Sequence, residues 1–187
     1  MENSPPDGLT DGLFPHPPSP KNQFKNCLQI GAVVTDLDQT VQVLSDVFGF
    51  GPFRVFDWPP PDRPDIEEFY YGKRVHFKAR KAFTDMGAVE LELIQPLEGE
   101  SIYFDFLRKH GPGLHHIRFN IPELEPVVDY LAQNKFEVSQ MGSGLRPGTV
   151  WANFNTESLV GFTIEVMKAL PGTDGKTPRI VDGKIQL

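Results

Sequence analysis

A shift of 87 residues (115 − 28) lays one stretch of this chain on another without a gap. LQIGAVVTDLDQTVQVL (28–44) falls on HHIRFNIPELEPVVDYL (115–131), with Ile30 on Ile117, Asp36-Leu37 on Glu123-Leu124, Val41 on Val128 and Leu44 on Leu131. Each copy reads as a strand, an acidic turn and an amphipathic helix. Each copy then reaches a later apolar strand carrying an acid, VELELIQP (89–96) and GFTIEVMK (161–168). An internal repeat constrains the fold more than any other single feature, because one unit cannot bury its own apolar face. The expected fold class is α+β: two tandem βαβββ modules, about 26–97 and 113–168, forming one concave, mostly antiparallel sheet with the helices outside.

The repeat also selects residues. Gln29 falls opposite His116, and Glu92 corresponds to Glu165. Strand alternation groups His116 with Arg118 and Asn120 on a polar face, and His115 with Ile117, Phe119 and Ile121 on an apolar one. His116 is therefore the candidate ligand and His115 a structural histidine. The same alternation places Arg74, His76 and Lys78 on one face of a strand within YYGKRVHFKARKAF. An antiparallel sheet with one wet face shows such alternation without any chemistry. Metal-competent residues at four repeat-related positions are the stronger signal. One amide oxygen, two carboxylates and one imidazole suit an octahedral divalent ion better than a closed structural zinc site.

The halves differ in length. Gln29 to Glu92 spans 63 residues (92 − 29), whereas His116 to Glu165 spans 49 (165 − 116). The extra 14 fall in the Pro-rich stretch around 57–72, which carries Trp58, Phe69, Tyr70 and Tyr71. That stretch reads as a cover over a pocket or as an apolar loop packed on the outside. Between the halves, SIYFDFLRKHG (101–111) reads as a short amphipathic helix.

Outside the domain at 24–170, residues 1–23 read as a flexible Pro-rich arm. The tail, 171–187, ends in RIVDGKIQL, a candidate hairpin around Asp182-Gly183. The net charge is −7 with no basic run, which argues against nucleic acid. No apolar run reaches the roughly 18–20 residues of a membrane span, and the N-terminus does not read as a secretory signal. The single cysteine, Cys27, excludes an internal disulfide and suits a reducing, cytoplasmic setting.

LQIGAVVTDLDQTV with LSDVFGFGPF, then VELELIQPLEGESIYFDFLRKHGPGLHHIRFNI, and finally GFTIEV resemble the vicinal oxygen chelate superfamily, the glyoxalase/bleomycin-resistance/dioxygenase fold, over about 26–168. The stretch from ELIQP to GLHHI looks most like methylmalonyl-CoA epimerases and related glyoxalase-like proteins. Carried over, the family's metal ligands fall on Gln29, Glu92, His116 and Glu165. Epimerases of this kind usually have His at the first position. Gln there resembles eukaryotic glyoxalase I, and a single His among the four argues against the extradiol dioxygenases. The resemblance implies a divalent metal (Zn, Ni, Co, Mn, Mg or Fe), a small-molecule substrate and a homodimer. The implied activity is a metal-dependent isomerase or epimerase working through an enolate on a small carbonyl or acyl-CoA-like compound. A glyoxalase I-type lyase on a thiol adduct and a metal-free binding or resistance protein are the alternatives. Glu165 is the first candidate for the base, with Glu92 as its partner and His76 as a further acid/base group. Arg74, Lys78 and Arg118 are candidates for holding an anionic part of the substrate.

Overall fold

The computed structural model describes residues 24–181 and 184–186, so the N-terminal arm and the turn residues Asp182 and Gly183 lie outside the described residues. The first module supplies β1 (Cys27–Val33), α1 (Leu37–Phe48) and β2 (Arg54–Trp58), then β3 (Glu68–Tyr70), β4 (Lys73–Val75), β5 (Lys78–Met86) and β6 (Val89–Glu98). The linking helix α2 spans Ile102–His110. The second module supplies β7 (Gly113–Ile121), α3 (Glu125–Gln133), β8 (Val138–Ser143), β9 (Val150–Phe154), the single turn α4 (Glu157–Val160) and β10 (Thr163–Lys168). Strands β11 (Arg179–Val181) and β12 (Lys184–Gln186) pair with each other in the tail, where a hairpin is expected.

The ten-stranded sheet has the order β2-β5-β6-β1-β7-β10-β9-β8-β3-β4. Its centre is the antiparallel β1–β7 pair, where the two repeats meet, with Ile30 opposite Ile117 and Gly31 opposite His116. Only β1–β6 and β7–β10 are parallel. Each module contributes four strands in matching order, so the repeat is visible as a near-twofold arrangement about β1 and β7.

Alternation along the strands separates two faces. Ala32, Val34, Leu91 and Leu93 pack outward under α1, and Ile121, Ala152, Phe154 and Val166 pack outward under α3. Asp36 caps α1 by accepting from the Gln39 amide at 3.0 Å, and Gly49 ends it in the left-handed region. The inner face carries a third cluster, including Val33, Trp58, Phe83 and Ile94, closed by Ile102, Tyr103 and Phe106 of α2. Buried Gln140 of β8 anchors that helix by accepting from the Ile102 amide at 2.9 Å. The helices within the modules lie outside, as expected, while the linking helix fills part of the concave side.

Two strand readings need correction. The stretch YYGKRVHFKARKAF is not one strand but β4 and β5 with a break at His76-Phe77, so alternation does not carry across it. The 14-residue excess is neither a simple cover nor a loop on the outer surface. It runs from the end of β2 to the opposite rim of the sheet, where β3 pairs with β8 of the second module and β4 completes the edge. The sheet is curled enough that Trp58 Nε1, on β2, donates to Glu68 Oε1, on β3, at 2.7 Å.

Candidate functional site

The inner polar face brings four side chains to one point. His116 Nε2 lies 3.3 Å from Glu92 Oε2, 3.5 Å from Gln29 Oε1 and 3.7 Å from Glu165 Oε2. All four are buried, none more than 4% exposed. They come from β1, β6, β7 and β10, the four central strands, which are the strands the repeat duplicates.

Their neighbours fix how they point. Gln29 Nε2 donates to Glu90 Oε1 at 2.9 Å, which turns its carbonyl oxygen toward His116. Asn153 Nδ2 donates to Glu165 Oε2 at 2.9 Å. Lys81 Nζ donates to Glu92 Oε1 at 3.0 Å and sits 4.4 Å from the centre of the Trp58 ring. Burial works against the Glu92 carboxylate, but Lys81 and His116 outweigh it and hold its pKa down at about 2. The Tyr103 phenol, pushed up by burial and then by the charges of Glu165 and Glu92, stays protonated.

His115 differs from its sequence reading in direction. The β1–β7 ladder steps from Gly31–His116 to Ala32–Leu114, leaving His115 as the extra residue of a bulge. Alternation fails there, and both histidine rings turn toward α2. His115 packs 5.0 Å from Tyr103 and 5.1 Å from Phe106, ring centre to ring centre, with its Nδ1 3.0 Å from His116 Nδ1. Burial, then His116, lowers its pKa well below the ordinary histidine value. Only one of the facing Nδ1 atoms can donate, so the tautomers of the two histidines are coupled.

A cleft of about 600 Å³, counting its open mouth, leads to this point. Glu92, Glu165, Lys81 and Arg118 line it, with aromatic walls from Trp58, Tyr103 and Trp151. The tail reaches it too: Gly175 O accepts from Arg118 Nη2 at 3.0 Å, and Thr177 Oγ1 donates to Glu90 Oε1 at 2.6 Å. Three expected residues are not brought here. Arg74 is exposed and paired with Glu67; Lys78 is exposed and paired with Glu98 at 2.7 Å; His76 is exposed in the break between β4 and β5. None of the three lines the cleft.

Lys81, Tyr103 and Asn153 escape the sequence reading, whereas Trp58, named there as part of a possible cover, does line the cleft. The alternation Ala79-Lys81-Phe83 carried a signal for one of them, a lysine on an otherwise apolar strand face.

In chemistry the donors, an amide oxygen, two carboxylates and an imidazole, are of the kind a divalent ion takes. Adjacent donors around an octahedral ion with bonds of about 2.1 Å stand about 3 Å apart, close to the spacing around His116 Nε2. A neutral imidazole can give that nitrogen at most one proton, yet it faces three oxygens, two of them from carboxylates. Among the described residues no group of three or more His, Cys, Asp or Glu side chains is arranged as it stands to hold a metal ion. Glu92 is drawn toward Lys81 and Glu165 toward Asn153.

Residues 28–150 match the family model of the Glyoxalase/Bleomycin resistance protein/Dioxygenase superfamily. The uncharacterised protein YqjC of Bacillus subtilis (strain 168) is 52% identical over 42 residues, which cover 22% of this chain and 30% of that relative's length. Among solved structures, a hypothetical protein from Bacillus halodurans C-125 superposes with a TM-score of 0.57 at 20% identity, covering 80% of this chain and 97% of the other. Methylmalonyl-CoA epimerase from Mycobacterium tuberculosis gives 0.57 at 19% identity, covering 81% and 92%. A Streptomyces coelicolor methylmalonyl-CoA epimerase variant, in complex with 2-nitronate-propionyl-CoA, gives 0.53 at 20%, covering 76% and 95%. At these identities the structural likeness concerns the fold.

Proposed function

The chain belongs to the Glyoxalase/Bleomycin resistance protein/Dioxygenase superfamily, and from that premise we propose that it is a metal-dependent isomerase or epimerase acting through an enolate on a small carbonyl compound. The observation that carries the reading is the convergence of Gln29, Glu92 and Glu165 oxygens on His116 Nε2 in a buried pocket at the end of an open cleft. These four residues would hold the ion. When bound, it supplies polarisation of a substrate carbonyl, which makes the neighbouring C–H acidic.

The rest of the chemistry belongs to the chain. Glu92 is tied to the Lys81 ammonium, so it stays ionised and is a weak proton acceptor. Among the described residues Glu165 accepts from the neutral amide of Asn153, and it lines the cleft. Glu165 is therefore the base, taking the proton from the substrate carbon and returning it. The two carboxylates that the repeat makes equivalent have different jobs because only one has a cation beside it. Trp58, Tyr103 and Trp151 exclude water around the reacting carbon.

The test is metal content of the purified protein, followed by proton-for-deuterium exchange into a panel of carbonyl compounds, with and without a thiol cofactor. Stoichiometric metal with thiol-independent exchange is expected. Exchange only in glutathione adducts would turn the reading to a lyase. Tight ligand binding with no metal and no exchange would turn it to a binding protein.

A further inference from the structure

Four cations line the cleft, Lys81, Arg118, Arg146 and Lys176, against two carboxylates, Glu92 and Glu165, in a chain whose net charge is −7. Two of the four are committed. Lys81 pairs with Glu92, and Lys176 pairs with Asp85 at 3.1 Å. The other two each leave a buried Nε without a partner.

Arg118 stands on the inner face of β7, two residues beyond His116, and is 4% exposed. Its Nη2 donates to a backbone carbonyl, Gly175 O, and its Nε is buried without a partner. The nearest carboxylate is Glu90, 3.9 Å from Nη2. Glu90 is already served by Gln29, by Arg54 at 2.5 Å, and by Thr177 through both its hydroxyl and its amide. Arg118 is thus a buried guanidinium whose only near counter-charge is taken.

Arg146 comes from the β8–β9 loop and lines the same cleft. Its Nε is also buried without a partner. The loop is held in place from outside the cleft. Buried Arg63, itself paired with Asp65 at 2.7 Å, donates to the carbonyls of Gly144 and Leu145. A guanidinium removed from water with unmet donors is costly, and a bound anion relieves that cost.

We propose that Arg118 and Arg146 form an anion subsite for the carboxylate of the substrate, making the substrate class a small carbonyl compound that bears a carboxylate. A guanidinium presents its donors as a planar fork that a carboxylate matches. Glu165 lines the same cleft, so a carboxylate held at the arginines leaves the carbonyl end of a short acid for the His116 pole. The inference rests on the reading above only for where the reacting carbonyl lies.

Both tryptophans of the chain line the cleft, so their fluorescence reports its occupancy. The experiment titrates pyruvate, its neutral methyl ester and inorganic phosphate into chelator-treated full-length protein. It repeats the titration on Arg118→Met and Arg146→Met, with the exposed Arg108→Met as control. Saturable binding of pyruvate is expected, with the ester weaker by about tenfold or more and each cleft variant weaker by a similar factor. Arg108→Met should bind as the parent does. Arg146 is on a loop, so its variant stands even if loss of buried Arg118 unfolds the protein. Equal binding of acid and ester, no saturable binding of pyruvate, or unchanged affinity in Arg146→Met would overturn the subsite. Tighter phosphate binding that depends on the same arginines would overturn its assignment to carboxylate. The titration needs no metal. Pyruvate binding in a protein that neither retains metal nor exchanges protons would sink the proposed reaction and leave the subsite standing.

Discussion

Gly31 and His116 face each other across the β1–β7 ladder so closely that a Cβ on Gly31 would lie 1.9 Å from His116 Cε1. The imidazole lies over the glycine. The absent side chain on one repeat is what lets His116 of the other turn inward. Gly31→Ala should therefore displace the His116 ring, because backbone and ring cannot both stay. Overpacking of this kind costs about 1–3 kcal/mol. Thermal melts and metal stoichiometry check it, and a variant with parental Tm and full metal content would contradict the contact.

Glu165→Gln should lower proton exchange by about 10²–10⁴-fold, the usual share of a positioned base. Metal content should fall much less, since the amide oxygen still faces His116. Glu92→Gln should do the reverse and shed metal first, because Lys81 then loses its counter-charge. Parallel metal analysis and exchange rates separate the two, and similar losses in both variants would refute the division of labour.

Lys81→Met should leave Glu92 buried without its cation and destabilise the protein by about 3–5 kcal/mol. The pH dependence has a definite sign. In the parent, Glu92 titrates at about 2 against an ordinary 4.5. Its stabilising contribution is thus fully present above about pH 4.5 and is lost as pH falls toward 2. Without Lys81, burial pushes the carboxyl up, and the acid-induced loss should begin at higher pH. Melting temperatures of chelator-treated protein from pH 2 to 7 measure this. Superimposable acid limbs for parent and variant would show that Lys81 does not set the Glu92 charge.

Glu68 offers the opposite case. Burial raises its pKa, only partly countered by the Trp58 hydrogen bond and the Lys81 charge. A raised carboxyl makes the fold less stable as pH rises through the folded value. Glu68→Gln keeps an oxygen for Trp58 Nε1 and removes the buried charge. It should raise Tm by about 2–4 °C at neutral pH and by less below pH 4. A lower Tm at neutral pH would mean that attraction to Lys81 outweighs burial.

Metal removal should lower Tm, and re-addition should restore it with a dependence on free metal given by linkage. An unchanged Tm across a titration of each candidate ion would argue against the four-residue site.

Much of this molecule was legible from the repeat. Ile30 and Ile117 define both the alignment and the central pair of the sheet, and the four strands they organise bring Gln29, Glu92, His116 and Glu165 together. What was not legible depends on contacts distant in sequence or on breaks in periodicity. The bulge at His115 adds one residue to a strand whose pattern otherwise reads as unbroken. The break at His76-Phe77 separates Arg74 from Lys78 in the same way. Lys81 stands out as a lysine on an apolar strand face, but its neighbour is not legible, because Trp58 lies 23 positions earlier (81 − 58) and meets it only in the fold. Arg146 sits in a loop whose sequence carries no periodic signal at all.

The β3–β4 hairpin bears on how the chain can assemble. Phe69 pairs with Met141, 72 residues later (141 − 69), so a segment of the first repeat completes the outer edge of the second. During vectorial synthesis that hairpin emerges long before its docking strand exists. The two repeats are therefore not interchangeable cassettes. Splitting the gene between them, near residue 100, would give an N-terminal fragment with an unpaired hairpin and a C-terminal fragment with a bare edge at β8, and neither should be soluble without the other.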